Sequence, residues 1–386
     1  MVLLNFENDN VSVTFKVDPK IQENEYKIKT YARNGITNGT KTLIATSESF
    51  ALNKNDENVQ NFTIDYVFYN KAAKKINNNK ALPNVIVFTF SILIGKNENE
   101  SQGDCKVHFV RYIPKLLNIK GWINAEKLQK IWFTKGNNAD KKKVFPELNA
   151  ITWQWITSES REVNEEYLEF LNDNKNQLNA MSLIRNNNVQ NALKNEINKM
   201  VTAGLAEIPT AIKPKIIFGV QSNQVVNHNN EKMPLFEKYY YNSKSFSGIW
   251  DLGKHYLREG IDDFIAAIAN FNFHVFATGS LEYVEGGYIT SEHIKVNVTK
   301  LHFYIKDSFD FVDDDPNASS QPLGYWKISD DGSSVEVEKD SPSNANEYFE
   351  VTNKSYRDYR DDHRMGYDFY LYSTLNEVNV NLSFNL

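Results

Sequence analysis

The chain has 386 residues, a formal net charge of −6 and one cysteine, and 41% of its residues are hydrophobic. This length predicts two or three domains, and the hydrophobic content is enough for packed cores, so wholesale disorder is excluded. Nucleic-acid binders concentrate Lys and Arg on one surface, so the acidic balance argues against that class. Because a single cysteine, Cys105, cannot form an internal disulfide, we expect folding in a reducing compartment.

Two features of the sequence predict a cytoplasmic product. The N-terminal residues Met-Val-Leu-Leu-Asn-Phe lack the basic start of a signal peptide. The longest apolar run, Val85–Gly95, is interrupted by Thr89 and Ser91 and is too short to span a membrane as a helix. We expect this run to form a buried strand.

Residues 1–112 show the two-residue alternation that is typical of β-strands. Apolar and polar residues alternate from Val11 to Val17, from Phe62 to Phe68 and from Cys105 to Phe109. Asn34-Gly35 adds a turn signal between these stretches. Regularly spaced strands over about a hundred residues predict a β-sandwich.

Residues 113–208 are predicted to be mostly helical. The apolar residues of Trp122–Phe133 fall near one helical face, whereas residues 151–155 (Ile-Thr-Trp-Gln-Trp) return to alternation and predict a short strand. No Gly or Pro occurs from Glu162 to Ala203, and apolar residues recur there at helical spacing. This pattern predicts one long helix, or two helices that break near residues 185–188.

Residues 209–386 are predicted to form an α+β domain around a long β-hairpin. Alternation from Phe273 to Ala277 and from Ile294 to Val298 flanks Gly286-Gly287, which is the pattern of a hairpin. The alternation shifts phase at Thr299-Lys300, and one extra residue of this kind predicts a β-bulge.

Shorter signals complete the C-terminal domain. Asp262-Asp263 precedes an apolar helical face and predicts a helix start, and the polar residues Asp330–Asn346 predict a loop. Further strands are predicted at Ile216–Val220, Tyr367–Leu371 and Val378–Phe384. The predicted fold class is therefore α+β and β-rich, with an N-terminal β-sandwich, central long helices and a C-terminal antiparallel β-sheet domain.

Two carboxylates at the exit of the second hairpin strand are the first candidate site. Asp307 and Asp310 follow the apolar series and are flanked by Phe309 and Phe311. Two carboxylates close in space can hold Mg²⁺ or act as a base on a phosphoryl substrate. Acids beyond a strand are also ordinary turn and capping residues, and this alternative stays open.

The second candidate site is His363-Arg364. It lies in residues 356–369, where four basic and four acidic residues interleave. An imidazole beside a guanidinium, both near acids, can transfer a proton to a phosphate ester. The same composition is common in solvated, self-paired surface segments, which is the alternative interpretation.

Several other sites are disfavoured by missing motifs. The sequence contains no HExxH, no Cys-x-x-Cys and no Gly-rich phosphate loop, so zinc and nucleotide sites are not expected. Gly-x-Ser-x-Gly is also absent, which argues against an α/β-hydrolase. His293 and His302 fall outside the apolar series of their strand and are predicted to lie on its polar face.

Three groups of residues carry a family resemblance: Ile113-Pro114 through Gly121-Trp122 and Trp132-Phe133, then Asp307–Phe311 with Leu323–Trp326, then Tyr356–Arg360 through Gly366–Phe369. In order and spacing they resemble a bacterial family that is catalogued as a domain of unknown function and is often encoded beside type VI secretion genes. The resemblance covers most of Tyr112–Leu386. It implies a link to interbacterial secretion, as an effector, an effector-associated protein or an accessory, with no assigned chemistry.

Asp307, Phe309 and Asp310 also resemble the Asp-x-Tyr-Asp motif of the colicin M catalytic region, with Phe309 where that family has Tyr. Colicin M cleaves the lipid-linked peptidoglycan precursor between the polyprenyl group and pyrophosphate. That family has His-Arg shortly after the motif. This sequence has Pro316-Asn317 there and carries His363-Arg364 further along.

These resemblances imply an antibacterial effector that is cytoplasmic in its producer, is exported without a signal peptide by a contractile injection system, and acts in the target periplasm. As an enzyme it would be a Mg²⁺-assisted phosphodiesterase of a lipid-linked cell-wall precursor. Asp307 and Asp310 would hold the metal or activate water, His363 would be the acid/base, and Arg364 would bind phosphate. Spike or tube proteins and an immunity protein are the expected partners; nucleic acid and a stable membrane span are not.

Two alternatives to the hydrolase remain open. The first is a non-catalytic adaptor or structural protein of the secretion system, in which the aspartates cap the hairpin and His363-Arg364 lies on the surface. The second is a membrane-active toxin that inserts its hairpin, although polar residues on the second strand equally fit an ordinary half-buried sheet.

Overall fold

The fold is described from a computed structural model, which describes every residue except 1, 5–8, 38, 78–79, 139, 180–187, 248–250, 269, 285–293 and 314–319. It leaves out the side chains of residues 2–4, 100–102, 137–138 and 251–252 as well. Helices make up 31% and strands 38% of the structure, and the strands form several sheets. The predicted α+β, β-rich class is therefore confirmed.

The strands are spread over the whole chain. They are β1 (Val2–Leu4), β2 (Asn10–Phe15), β3 (Glu25–Asn34), β4 (Thr42–Thr46), β5 (Phe50–Ala51), β6 (Asn58–Thr63), β7 (Val85–Ile94), β8 (Asn97–His108), β9 (Asn137–Asn138), β10 (Glu147–Leu148), β11 (Lys215–Phe218), β12 (Val225–His228), β13 (Glu231–Pro234), β14 (Asn242–Phe246), β15 (Phe271–Tyr283), β16 (Ile294–Phe309), β17 (Pro322–Ile328), β18 (Val335–Glu338), β19 (Phe349–Thr352), β20 (Gly366–Tyr367), β21 (Phe369–Tyr372) and β22 (Asn376–Asn385).

The helices lie mostly in the middle of the chain. They are α1 (Tyr66–Ile76), α2 (Ile113–Lys120), α3 (Ile123–Thr134), α4 (Trp153–Glu159), α5 (Arg161–Leu178), α6 (Asn188–Thr202), α7 (Asp251–Glu259), α8 (Asp263–Ala267) and α9 (Asn353–His363), with short 3₁₀ helices at Phe109–Tyr112, Leu235–Tyr239 and Ala345–Glu347. No described helix is long and apolar enough to cross a membrane.

The described residues form two compact units, each built from two stretches of sequence. The first unit contains Met1–Trp122 and Phe311–Met365. The second contains Ile123–Asp310 and Gly366–Leu386. In each unit, a later stretch of the sequence therefore packs with an earlier one.

The first unit contains three antiparallel sheets. Their strand orders are β1-β2-β6, β4-β3-β7-β8 with β5 also on β3, and β18-β17-β19. The rings of Phe62 and Phe90 stack 5.8 Å apart and join the first two sheets, as in a β-sandwich. Phe349 of β19 stacks on Phe109 at 3.9 Å, so residues 311–365 complete the core of residues 1–122.

The second unit is built mainly on one sheet of seven strands. Its path is β10-β21-β16-β15-β11, while β14 also pairs with β15 and β22 with β16. The β15–β16 pair is antiparallel, which confirms the predicted hairpin strands. Gly286-Gly287, predicted as the turn, lie outside the described residues.

The predicted β-bulge is confirmed at Thr299. Thr278 pairs with Lys300 and Gly279 pairs with Val298, so Thr299 is one extra residue in β16. A Cβ atom on Gly279 would lie 1.9 Å from the backbone oxygen of Asn297, so only glycine fits at this point of the ladder. Because of this extra residue, the alternation of inward-facing and outward-facing side chains along β16 changes phase at the bulge.

A helical layer covers one face of this sheet. The ring of Tyr167 in α5 packs against that of Phe303 in β16, with 5.4 Å between the ring centroids. The rings of Phe170 in α5 and Phe273 in β15 are 6.3 Å apart by the same measure. Ser160 caps α5 by accepting a hydrogen bond from the backbone of Val163. The long helical region thus forms two helices, α5 and α6, which is one of the two predicted alternatives.

Two strand predictions were wrong because a helix cap overrides local alternation. The predicted strand from Phe62 ends at β6, and α1 begins at Tyr66 because Asp65 caps it, accepting from the backbone of Phe68 at 2.8 Å. The predicted strand at residues 151–155 is the start of α4, which Thr152 caps by accepting from the backbone of Trp155. A cap satisfies backbone donors that a strand would direct to a neighbour.

Two further predictions on burial and loops were corrected, and one was confirmed. The predicted loop Asp330–Asn346 contains β18, whose Val335 is buried. His302, predicted on a polar face, is fully buried. Val85–Gly95 forms the buried strand β7 as predicted, and Cys105 is buried in β8, where burial raises the pKa of its thiol to about 12.

Candidate functional site

The two predicted carboxylates lie at the end of β16 in the second unit, and both accept hydrogen bonds there. Asp307 accepts a hydrogen bond from the backbone of Ser308 at 2.7 Å. Asp310 accepts one from the Ser308 hydroxyl at 2.6 Å and forms an ion pair with Lys141. Asp310 thus forms a contact with Lys141, which lies in the segment that follows α3.

Asp307 is the more unusual of the two acids. Burial raises the pKa of its carboxyl group to about 7, and the nearby charge of Asp310 acts in the same direction. The hydrogen bond from Ser308 and the charge of Lys141 oppose this shift and are outweighed. A carboxyl group that titrates near neutral pH can donate or accept a proton in catalysis.

The predicted Mg²⁺ ion at Asp307 and Asp310 stays a prediction. Mg²⁺ is bound by oxygen ligands, among which carboxylates are common. In this structure the Asp310 carboxylate forms an ion pair with the Lys141 ammonium. Across the part of the chain that the structure describes, no group of three or more His, Cys, Asp and Glu side chains is arranged to hold a metal ion.

A polar cluster that includes two residues of β16 was not predicted from the sequence. The Glu237 carboxylate accepts a hydrogen bond from Lys306 at 2.8 Å and another from the Tyr304 hydroxyl. Nδ1 of His274 lies 3.4 Å from the same carboxylate. No local pattern marks this cluster, because its members come from three separate elements.

The charges of the cluster stabilise each other. Burial alone would raise the pKa of Glu237, but the nearby His274 imidazole and the charge of Lys306 hold it below its usual value. Burial alone would lower the pKa of Lys306, and the carboxylates of Glu237 and Glu231 raise it instead. Both groups are therefore charged at neutral pH, although Glu237 is buried and Lys306 is only partly exposed.

The second predicted pair, His363 and Arg364, lies at the end of α9 in the first unit. The His363 ring packs 4.7 Å from Tyr359 and 5.1 Å from His108, measured between ring centroids. Burial lowers the pKa of His363 to about 4, and the charge of His108 contributes to this shift in the same direction. Arg364 adopts a left-handed backbone conformation (φ 52°) and ends the helix, its N–H bonding the carbonyl of Arg360.

An imidazole–carboxylate pair lies next to His363. Nε2 of His108 is 2.7 Å from Oδ2 of Asp362, and Lys106 forms an ion pair with the same oxygen. Burial lowers the pKa of His108, and the hydrogen bond to Asp362 only partly offsets this. The segment around His363 is thus the packed end of a helix. His108 belongs to the same group of contacts, and no sequence signal predicted it.

A groove of about 260 Å³ opens beside this pair. It is lined by Lys106, His108 and the three aspartates 358, 361 and 362 of α9, together with Gly35, Ile36 and Val85. The lining is thus mostly charged, with three carboxylates beside one ammonium group and one imidazole.

The four predicted site residues therefore divide into two pairs. Asp307 and Asp310 belong to the second unit, and His363 and Arg364 belong to the first. Within each pair the residues are close, and each pair is part of a local network of contacts.

A protein-family model matches this chain over residues 109–386. The family is DUF6402, described as a family of unknown function, and because the match covers more than two thirds of the sequence the chain belongs to it. Among curated proteins, none matches the chain.

Proposed function

For this member of the DUF6402 family, we propose a non-catalytic binding function as an adaptor or structural partner in type VI secretion. The observation that carries the proposal is the engagement of the candidate catalytic groups in structural contacts. Asp310 is held by Lys141 and Ser308, and the His363 ring is packed against Tyr359 and His108. The link to secretion comes from the resemblance of its sequence motifs.

The charge state of these groups supports the same proposal. A general acid/base works best with a pKa near the working pH, and His363 has a pKa of about 4. Arg364 serves as the helix terminus, where its backbone conformation is fixed. These roles stabilise the fold without a substrate.

The second candidate function is the hydrolase, and one observation favours it. The pKa of Asp307, about 7, would allow its carboxyl group to exchange protons at neutral pH. In that case the protein would be an effector that cleaves a phosphodiester bond of a lipid-linked cell-wall precursor. Asp307 would act as the acid or base, with no step assigned to a metal.

Expression in a test bacterium distinguishes the two functions. The wild-type chain and the variants Asp307→Asn, Asp310→Asn and His363→Gln are each produced in the cytoplasm and, with an added export signal, in the periplasm. We expect none of them to reduce growth in either compartment. In a bacterium with an active secretion system, we expect the wild-type chain to co-purify with a spike or tube protein.

Three results would contradict the binding function. The first is periplasmic killing by the wild-type chain that Asp307→Asn abolishes although its unfolding midpoint is not lowered. The second is co-purification that is equally strong in a strain without the secretion genes. Killing that persists in all three variants would exclude the assigned catalytic residues but would still count against an adaptor.

A further inference from the structure

The edge strand β11 has backbone groups that no other strand uses. It is the last strand in its sheet and pairs only with β15 within the described residues. The backbone N–H of Tyr283 donates to the carbonyl of Pro214 at 2.8 Å, so these two residues form a hydrogen-bonded pair of the ladder. Because such pairs alternate, the backbone groups of Lys215 and Ile217 point away from β15.

The side chains of this edge are exposed as well. Ile217 is 69% exposed, and Ile212, shortly before the strand, is 97% exposed. Leu205 and Ile208 in the same connecting segment are also exposed. Proteins usually protect an open, apolar strand edge, because it pairs readily with another strand.

We propose that two copies of this chain associate through β11, antiparallel, with Ile217 opposite the same residue of the second copy. This surface is independent of the proposed secretion function. In this register the outward N–H and C=O groups of Ile217 bond across the two-fold axis. The two isoleucine side chains lie on the same face and cover each other.

The charges along the strand fit this self-pairing. With Ile217 opposite Ile217, Lys215 of one copy faces Gly219 of the other, so the lysines do not oppose each other. Residues directly opposite in an antiparallel pair share a face, and like charges at such positions are unfavourable. Self-pairing in this register therefore brings no like charges together on β11, and a second copy is the occupant that we propose.

The oligomeric state of the full chain tests the proposal. Light scattering after size-exclusion chromatography should give twice the chain mass of 44.5 kDa for the wild-type protein. Ile217→Lys places two ammonium groups opposite each other and should raise the dimer dissociation constant at least about tenfold. Ile36→Lys is the matched control, because Ile36 is also 69% exposed but lies in the first unit, and this variant should stay dimeric.

A charge exchange tests the register itself. Ile217→Glu alone should be monomeric, like Ile217→Lys, whereas an equimolar mixture of the two variants should form a dimer. Unfolding midpoints close to that of the wild type would show that all variants are folded. A monomeric wild-type chain at its highest soluble concentration, an Ile217→Lys dimer of wild-type strength, or a mixture that stays monomeric would each overturn the proposal.

Discussion

The Lys306 ammonium group lies 2.8 Å from the carboxylate of Glu237, whose side chain is only 3% exposed. Removing one member of a buried ion pair leaves the other as an unpaired buried charge. We therefore expect Lys306→Met to lower the free energy of unfolding by about 3–5 kcal/mol, measured by urea denaturation at pH 7.

An exposed pair provides the control for this prediction. Lys213 and Glu207 form an ion pair with both side chains more than half exposed, so Lys213→Met should change the free energy of unfolding by less than about 0.5 kcal/mol. Adding Glu237→Gln to Lys306→Met should recover part of the loss, because no buried charge is then left unpaired. No recovery would mean that lost packing of the lysine stem, and not charge, causes the effect.

Asp307→Asn should stabilise the protein at high pH. The folded-state pKa of about 7 is higher than the usual 3.8, so ionisation of Asp307 favours the unfolded chain as pH rises from about 4 to 7. Asparagine resembles the protonated acid, and we expect a gain of about 1–3 kcal/mol at pH 8 that disappears near pH 4. Urea denaturation of both proteins across this range measures the difference.

Asp310→Asn is the matched comparison. Asp310 lies close to Asp307 in the sequence, and its substitution removes the carboxylate that pairs with Lys141. It should lower the free energy of unfolding at pH 8 by about 1–3 kcal/mol. If Asp307→Asn destabilises the protein as strongly as Asp310→Asn at pH 8, Asp307 is ionised and paired in the fold, and its raised pKa is refuted.

The buried His302 should make the protein acid-sensitive. Its Nε2 lies 3.1 Å from both Gln221 and Thr278, and burial lowers its pKa to about 4. The unfolded chain binds a proton at the usual pKa of 6.5, so stability is lost as pH falls from about 6.5 towards 4. Allowing for solvent screening, His302→Gln should reduce this loss by about 2 kcal/mol.

The measurement is the change in unfolding free energy between pH 7 and pH 4.5 in each protein. His363 has a similarly lowered pKa and contributes with the same sign, so the variant should retain part of the acid sensitivity. Parallel pH profiles of wild type and His302→Gln would contradict the assignment.

Gly279→Ala should disrupt the bulged hairpin. Its Cβ atom would lie 1.9 Å from the Asn297 carbonyl oxygen, and this backbone atom cannot move aside without breaking the ladder. We expect a loss of about 3 kcal/mol or more in unfolding free energy, or failure to fold.

Gly39→Ala serves as its control, because a Cβ atom there would make ordinary contacts at 3.7 Å or more without a positive φ. The free energy of unfolding of this variant should lie within about 0.5 kcal/mol of the wild-type value. Equal effects of the two substitutions would show that the close approach at Gly279 is relieved by a small shift of β16.

The hairpin strands and the bulge at Thr299 were predictable from the sequence because both are local signals. Alternation with a period of two marks a half-buried strand, and a phase shift marks an added residue. The same rule failed at Trp153 and Trp155, where alternation over a few residues was overridden by the cap at Thr152. A short alternating stretch fits both structures until a capping side chain is considered.

The candidate sites were predictable only in part. Asp307 and Asp310 were found because they follow a strong strand pattern, but their partners come from distant segments. Lys306 and Glu237 are 69 residues apart, and His108 and Asp362 are 254 residues apart. No spacing rule connects such pairs, since tertiary packing alone brings them together.

The two-stretch composition of the first unit has a consequence for biosynthesis. Residues 1–122 leave the ribosome before residues 311–365 are synthesised. Phe109 therefore lacks its stacking partner, Phe349, until the later segment has been translated. At typical translation rates this delay is on the order of 10–40 s. During that interval the apolar surface that Phe349 later covers stays exposed, and we expect chaperones to bind the nascent N-terminal residues.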